Sequence, residues 1–113
     1  MSTKEVSMCP PDVPPATLKK VRESMSEDVR NITSVLKILS DPIRLHILKA
    51  LEIDDLCVCI LVEITGYQYS VLSYHLKLLK DADLVDSERD GNFLIYHLTD
   101  KGKKVLKSIE HMK

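Results

Sequence analysis

The 113-residue chain is short of the features that mark enzymes, membrane proteins and secreted domains. It has no glycine-rich phosphate loop and no recognisable nucleophile–base arrangement, and its four histidines are scattered, so catalysis is not expected. No apolar run approaches the roughly 20 residues that cross a bilayer, and no signal peptide opens the sequence; a cytoplasmic protein without membrane contact is expected. Cysteine is scarce and odd in number, and two of the three lie one residue apart, which argues against a secreted disulfide framework and for a reducing compartment. Excess positive charge is also missing: 16 Lys and Arg stand against 17 Asp and Glu, for a formal net charge of -1. A nucleic-acid-binding protein usually shows a basic footprint. Weak non-specific affinity is therefore expected, with specific binding dependent on a dimer that engages two half-sites.

Hydrophobic residues make up 44% of the chain, enough for one folded domain with a modest core. Residues 1–15 hold four of the five prolines (Pro10, Pro11, Pro14 and Pro15) and no hydrophobic period, and are read as a flexible arm carrying Cys9. Residues 16–113 are read as the domain. Leu18, Val21, Met25, Val29, Ile32, Leu36 and Leu39 form a helical stripe, with a break near Ser26 where Ser26, Glu27 and Asp28 can cap a second helix. The stripe exceeds what a small core needs, so part of it is expected to form a dimer surface. Asp41-Pro42 is a strong helix start, after which Ile43, Ile47, Leu48 and Leu51 face inward and Arg44, His46 and Lys49 do not.

The centre of the chain runs from Cys59 to Leu98. Leu61 and Ile64 give a short helix its buried side, and Gly66 ends it. Val71, Leu72, Leu76 and Leu79 predict a second helix over Ser70 to Asp81, whose other flank carries Ser70, Ser73, Tyr74 and Lys77. Two helices around a glycine turn are the signature of a helix-turn-helix, whose second helix enters the DNA major groove. Leu84 to Glu88 and Phe93 to Leu98 read as strands joined through Arg89-Asp90-Gly91-Asn92, with Asp-Gly as the turn. A hairpin placed there is a wing, from which Arg89 and Asn92 can reach DNA. Thr99-Asp100 caps a last helix with Val105, Leu106, Ile109 and Met112 on one face. The expected fold is mainly α with a β-hairpin wing (α+β), a homodimeric winged helix-turn-helix whose terminal helices dimerise. Candidate contacts to double-stranded DNA are Ser70, Ser73, Tyr74, Lys77, Arg89 and Asn92. His75 joins them through phosphate or is instead packed and hydrogen-bonded inside.

Cys57 and Cys59 precede or begin the first helix of this unit. On a regular helix they would point about 200° apart, but at an irregular helix start both thiols can converge on one ion. Thiolates are soft and select thiophilic species over magnesium or calcium.

Taken together, Leu39-Ser40-Asp41-Pro42-Ile43-Arg44-Leu45-His46-Ile47-Leu48, the Leu56-Cys57-Val58-Cys59 box, Leu72-Ser73-Tyr74-His75-Leu76-Lys77-Leu78-Leu79 and the closing Ile95-Tyr96-His97-Leu98 resemble the arsenic- and metal-responsive winged-helix repressors of the ArsR/SmtB family. The resemblance implies a dimeric repressor on an imperfect inverted repeat, released when a metal or metalloid binds. It matches Cys57 and Cys59 to the family's sensor-box thiolates, and Cys9 by placement to the arm cysteine of some cadmium- and lead-sensing members. Ile60 stands where the box often has aspartate, so a carboxylate suited to zinc is missing. Asp100 is followed by Lys101 and Gly102 with a lone His111, unlike the zinc pattern on the last helix of other members. Asp83 replaces the usual glycine, which aspartate tolerates. Three cysteines per chain suit As(III) or Sb(III), whereas Cd or Pb would favour a further ligand; no organic cofactor is implied. Two other readings stay open: a thiol-redox switch at the same cysteines, and a family member without a metal response.

Overall fold

The computed structural model describes residues 12–113. Most of the proline-rich arm, Cys9 included, lies outside the described residues. In order, the elements are α1 (Pro15–Met25), α2 (Arg30–Leu39), α3 (Pro42–Ile53), β1 (Leu56–Cys57), α4 (Val58–Thr65), α5 (Tyr69–Asp81), β2 (Val85–Asp90), β3 (Phe93–Leu98) and α6 (Asp100–Glu110). The strands form one antiparallel sheet in the order β1-β3-β2.

The long apolar stripe is divided at its polar break, where Asp28 caps the second helix as read and Ser26 instead closes the first. Ser26 closes α1, its hydroxyl donating to the Glu23 carbonyl at 2.6 Å. Asp28 opens α2 by accepting the Arg30 backbone N–H at 3.0 Å. At α3 the Asp41 carboxylate accepts the N–H groups of Ile43 (2.8 Å) and Arg44 (3.3 Å), and Pro42 occupies the first turn, where its missing N–H costs nothing. Burial works against the charge on Asp41, but those N–H groups, with Arg44 and His75 nearby, outweigh it and hold the carboxyl below its ordinary 3.8. Because the folded form is the more acidic, the cap's stabilisation is complete above the unfolded pKa and is lost as pH falls through the folded one. Asp41→Ala is thus expected to cost about 1 kcal/mol at neutral pH. Urea midpoints should show the gap between wild type and variant closing below about pH 4.

Ile47, Leu48, Leu61, Leu72, Leu76, Leu79, Leu84 and Leu106 are fully buried and knit α3, α4, α5 and α6 onto the sheet. Ile64, read as part of the buried side of α4, is 65% exposed; Val58, about one turn before the buried Leu61, takes that place in the core. The wing is real but its turn is shifted by one residue. Asp90 pairs with Phe93, so the loop is Gly91-Asn92, and Gly91 at φ 62° supplies the positive first position of a II′-type turn.

Asp83 takes the left-handed conformation at φ 61° and turns the chain from α5 into β2. Thr99 then locks the start of α6, donating to the Asp83 carbonyl at 2.6 Å and accepting the Gly102 N–H at 3.0 Å. Gly102 lies so close to Leu84 that an added Cβ would collide with its backbone carbonyl. Gly102→Ala is expected to cost about 2 kcal/mol through that clash, lowering the thermal midpoint by roughly 10 °C. An unchanged melting curve would mean that α6 shifts away freely.

Candidate nucleic-acid interface and cysteine site

Gly66, left-handed at φ 77°, caps α4 by donating its N–H to the Val62 carbonyl at 2.9 Å, and α5 follows after Gln68. Leu72, Leu76 and Leu79 bury the inner side of α5, which fixes its outer side towards solvent. Tyr69, Ser70, Tyr74 and Lys77 are exposed there and Ser73 is half-buried. At 13 residues α5 is about 20 Å long, and a helix of its width enters a major groove about 12 Å across. Lys80 braces the wing against α5, its ammonium donating to the Ser87 hydroxyl at 2.8 Å and standing 3.8 Å from the Asp86 carboxylate. Arg89 and Asn92 are exposed at the wing tip.

His75 departs from the outward reading. It is only 8% exposed, and its Nδ1 lies 3.2 Å from Nη1 of Arg44. A guanidinium has no acceptor, so Nδ1 accepts and the ring proton sits on Nε2. The spacing of α3 sets Arg44 off its inward face, yet the Arg44 side chain is only 14% exposed. Its Nε donates to the Ile38 carbonyl at 2.6 Å and its Nη2 stands 3.8 Å from Asp41. One guanidinium therefore ties the end of α2, the cap of α3 and the recognition-type helix together. His75 orients α5 from inside because a buried imidazole needs a partner and Arg44 supplies it.

Cys57 ends β1 and is the N-cap of α4, with extended backbone at φ -83°, ψ 163°. This irregular start brings the Cys57 and Cys59 sulfurs to 3.5 Å, too far for a disulfide and close enough for one hydrogen bond. Two sulfurs each about 2.3 Å from a tetrahedral ion stand about 3.8 Å apart, and less where the geometry is more pyramidal. The pair is already spaced for chelation. The Ile60 N–H lowers the Cys57 thiol pKa, against some burial and with help from Cys59. Cys59 is pushed up, chiefly by sharing its proton with Cys57. Cys57 thus ionises first. Among the described residues no third His, Cys, Asp or Glu joins them in a cluster.

The thiols open into a cleft of about 370 Å³ whose other walls include Tyr69, Arg89, Asn92 and Phe93. Sequence periodicity could not find this grouping, because β1, α5 and the wing meet only in the fold. On the far side, α2 and α6 frame an apolar groove of about 340 Å³ containing Ile32, Leu36, Val105 and Met112. Ile32, Leu36 and Met112 are 56%, 58% and 81% exposed. No helix among the described residues is long and apolar enough to cross a membrane.

The family described as "Bacterial regulatory protein, arsR family" matches residues 41–87, from the α3 cap through the first half of the wing. An arsenical resistance operon repressor of Staphylococcus xylosus is 41% identical over 69 residues, covering 61% of this chain and 66% of that protein, just under two thirds of its length. The cadmium resistance transcriptional regulatory protein CadC of Listeria innocua is 38% identical over 84 residues, covering 74% of this chain and 69% of that protein. Among solved structures, a homodimeric winged helix-turn-helix DNA-binding domain of Mycobacterium bovis, described as a possible ArsR-family transcriptional regulator, superposes with a TM-score of 0.66 at 25% identity over 74% of this chain and 78% of that one.

Proposed function

Since the chain belongs to the arsR family of bacterial regulatory proteins, we propose that it is a transcriptional repressor, not an enzyme, which binds an inverted-repeat operator as a homodimer and is released by a thiophilic ion at Cys57 and Cys59. The observation that carries this reading is the 3.5 Å approach of the two sulfurs at the strand–helix junction leading into the helix-turn-helix. A dimer joined through the α2–α6 groove would present two copies of α5 to half-sites one duplex turn apart. Ser70, Ser73, Tyr74 and Lys77 would meet the groove, and Arg89 and Asn92 the backbone beside it. His75 acts from behind by orienting α5.

Two soft sulfurs without a neighbouring carboxylate suit As(III) or Sb(III), with Cd or Pb next, and Cys9 is the candidate third sulfur. An ion that favours a rearranged start of α4 must weaken DNA binding by the same factor by which DNA weakens ion binding. The 3.5 Å separation also favours a second reading, a thiol-redox switch in which mild oxidant joins the same sulfurs. Titrating the protein–operator complex with arsenite, cadmium and zinc, and separately with oxidant, tests both. Release by arsenite or cadmium at low concentration is expected; a complex unmoved by every ion would refute the sensor.

A further inference from the structure

Resting on that regulator reading, we infer that the wing, through Arg89, is the element by which the cysteine site acts on DNA. Cys57 is not only the cap of α4. It is also a strand residue, paired in register with Ile95 as Leu56 is with Tyr96, and β3 is the strand that carries the wing. The thiols and the wing tip line the same cleft, Cys57 and Cys59 from the start of α4 and Arg89, Asn92 and Phe93 from the hairpin. Tyr69, the first residue of α5, closes it. Arg89 makes no ion pair among the described residues, so its guanidinium is available to a DNA phosphate. The wing donors that this reading turns towards DNA therefore also line the cleft into which a loaded cysteine pair would open.

The chemistry of arsenous acid makes this competition concrete. Two thiols displace two hydroxyls from As(OH)3: two As–S bonds form, two As–O bonds break, two waters leave and arsenic stays trivalent. With only this pair bound, and before any third thiol displaces it, one hydroxyl remains on arsenic. It is an acceptor in a cleft whose donors are Arg89, Asn92 and Tyr69, and a guanidinium turned towards it is turned away from phosphate. The ion also pulls on Cys57, which shifts β3 through the paired strand. Both effects draw the wing off the duplex.

The test compares the full-length wild type with Arg89→Ala on a duplex that the wild type selects from genomic DNA. Affinities are measured with and without sodium arsenite, at the arsenite concentration where thiolate–arsenic absorption shows full loading of each protein. Wild type should lose about tenfold or more in affinity on loading. Arg89→Ala should bind more weakly at the outset and then lose less than about threefold. Amide signals of Gly91, Asn92 and Phe93 should also move when arsenite is added to the wild type without DNA. A wild type and variant released by the same factor, or wing amides that stay still, would overturn the wing's role while leaving the regulator reading intact. A fully loaded wild type that keeps its DNA would overturn both.

Discussion

Cys57→Ser is expected to retain operator binding while losing its response to arsenite. Serine is among the best N-cap residues, so the hydroxyl can accept the Ile60 N–H that Cys57 sulfur now attracts, and α4 should keep its start. The replacement atom is a hard oxygen that ionises far less readily than a thiol, and it breaks the 3.5 Å sulfur pair on which chelation depends. A release factor of about tenfold or more in the wild type should fall to about one, read by anisotropy of a labelled operator duplex. Cys59→Ser should lose the same response. Retained release in Cys57→Ser would place the inducer elsewhere. Loss of DNA binding before any ion is added would instead mean that the cysteine is structural.

The other large effect is expected at the apolar groove between α2 and α6. Ile32 and Leu36 are more than half exposed, so changing both to aspartate removes little from the core of a single subunit. Surface changes of this kind usually alter stability by no more than about 0.5 kcal/mol. Two desolvated carboxylates facing their symmetry mates would, however, prevent a second copy from covering the groove. Ile32→Asp/Leu36→Asp should therefore sediment as a monomer with a nearly unchanged melting temperature. Its affinity for a two-half-site operator should fall by about a hundredfold or more, because the second half-site is no longer held at high effective concentration. A variant that remains dimeric would move the interface to another face, with α1 and its exposed Leu18, Val21 and Met25 the next to test.

The helix-turn-helix was legible because it is written in local signals: the apolar spacing of Leu72, Leu76 and Leu79, the left-handed Gly66, and Asp41-Pro42 at the start of α3. The hairpin was legible in kind, but its turn was displaced because Asp-Gly and Gly-Asn are both good turn dipeptides. Pairing of Asp90 with Phe93 decides between them, and that register is a property of two strands. β1 was missed because two residues cannot show alternation, although they connect the cysteines to the wing. The Arg44–His75 contact joins residues 31 apart, and an arginine on a helix read as amphipathic is normally assigned to water. Ile64 was misplaced for a related reason: α4 has only eight residues, and its apolar positions exceed what its core can cover. The cysteine pair was visible as a motif, but its irregular cap and its cleft required the fold.

The most direct measurement is a hydroxyl-radical and methylation-interference footprint of the wild-type protein on the duplex that it selects from genomic DNA, with and without arsenite. Two protected patches about one duplex turn apart, each sensitive to major-groove guanine methylation and both lost when arsenite is added, are the predicted result. A single patch, protection confined to the minor groove, or a footprint unchanged by arsenite at full thiol loading would contradict the account.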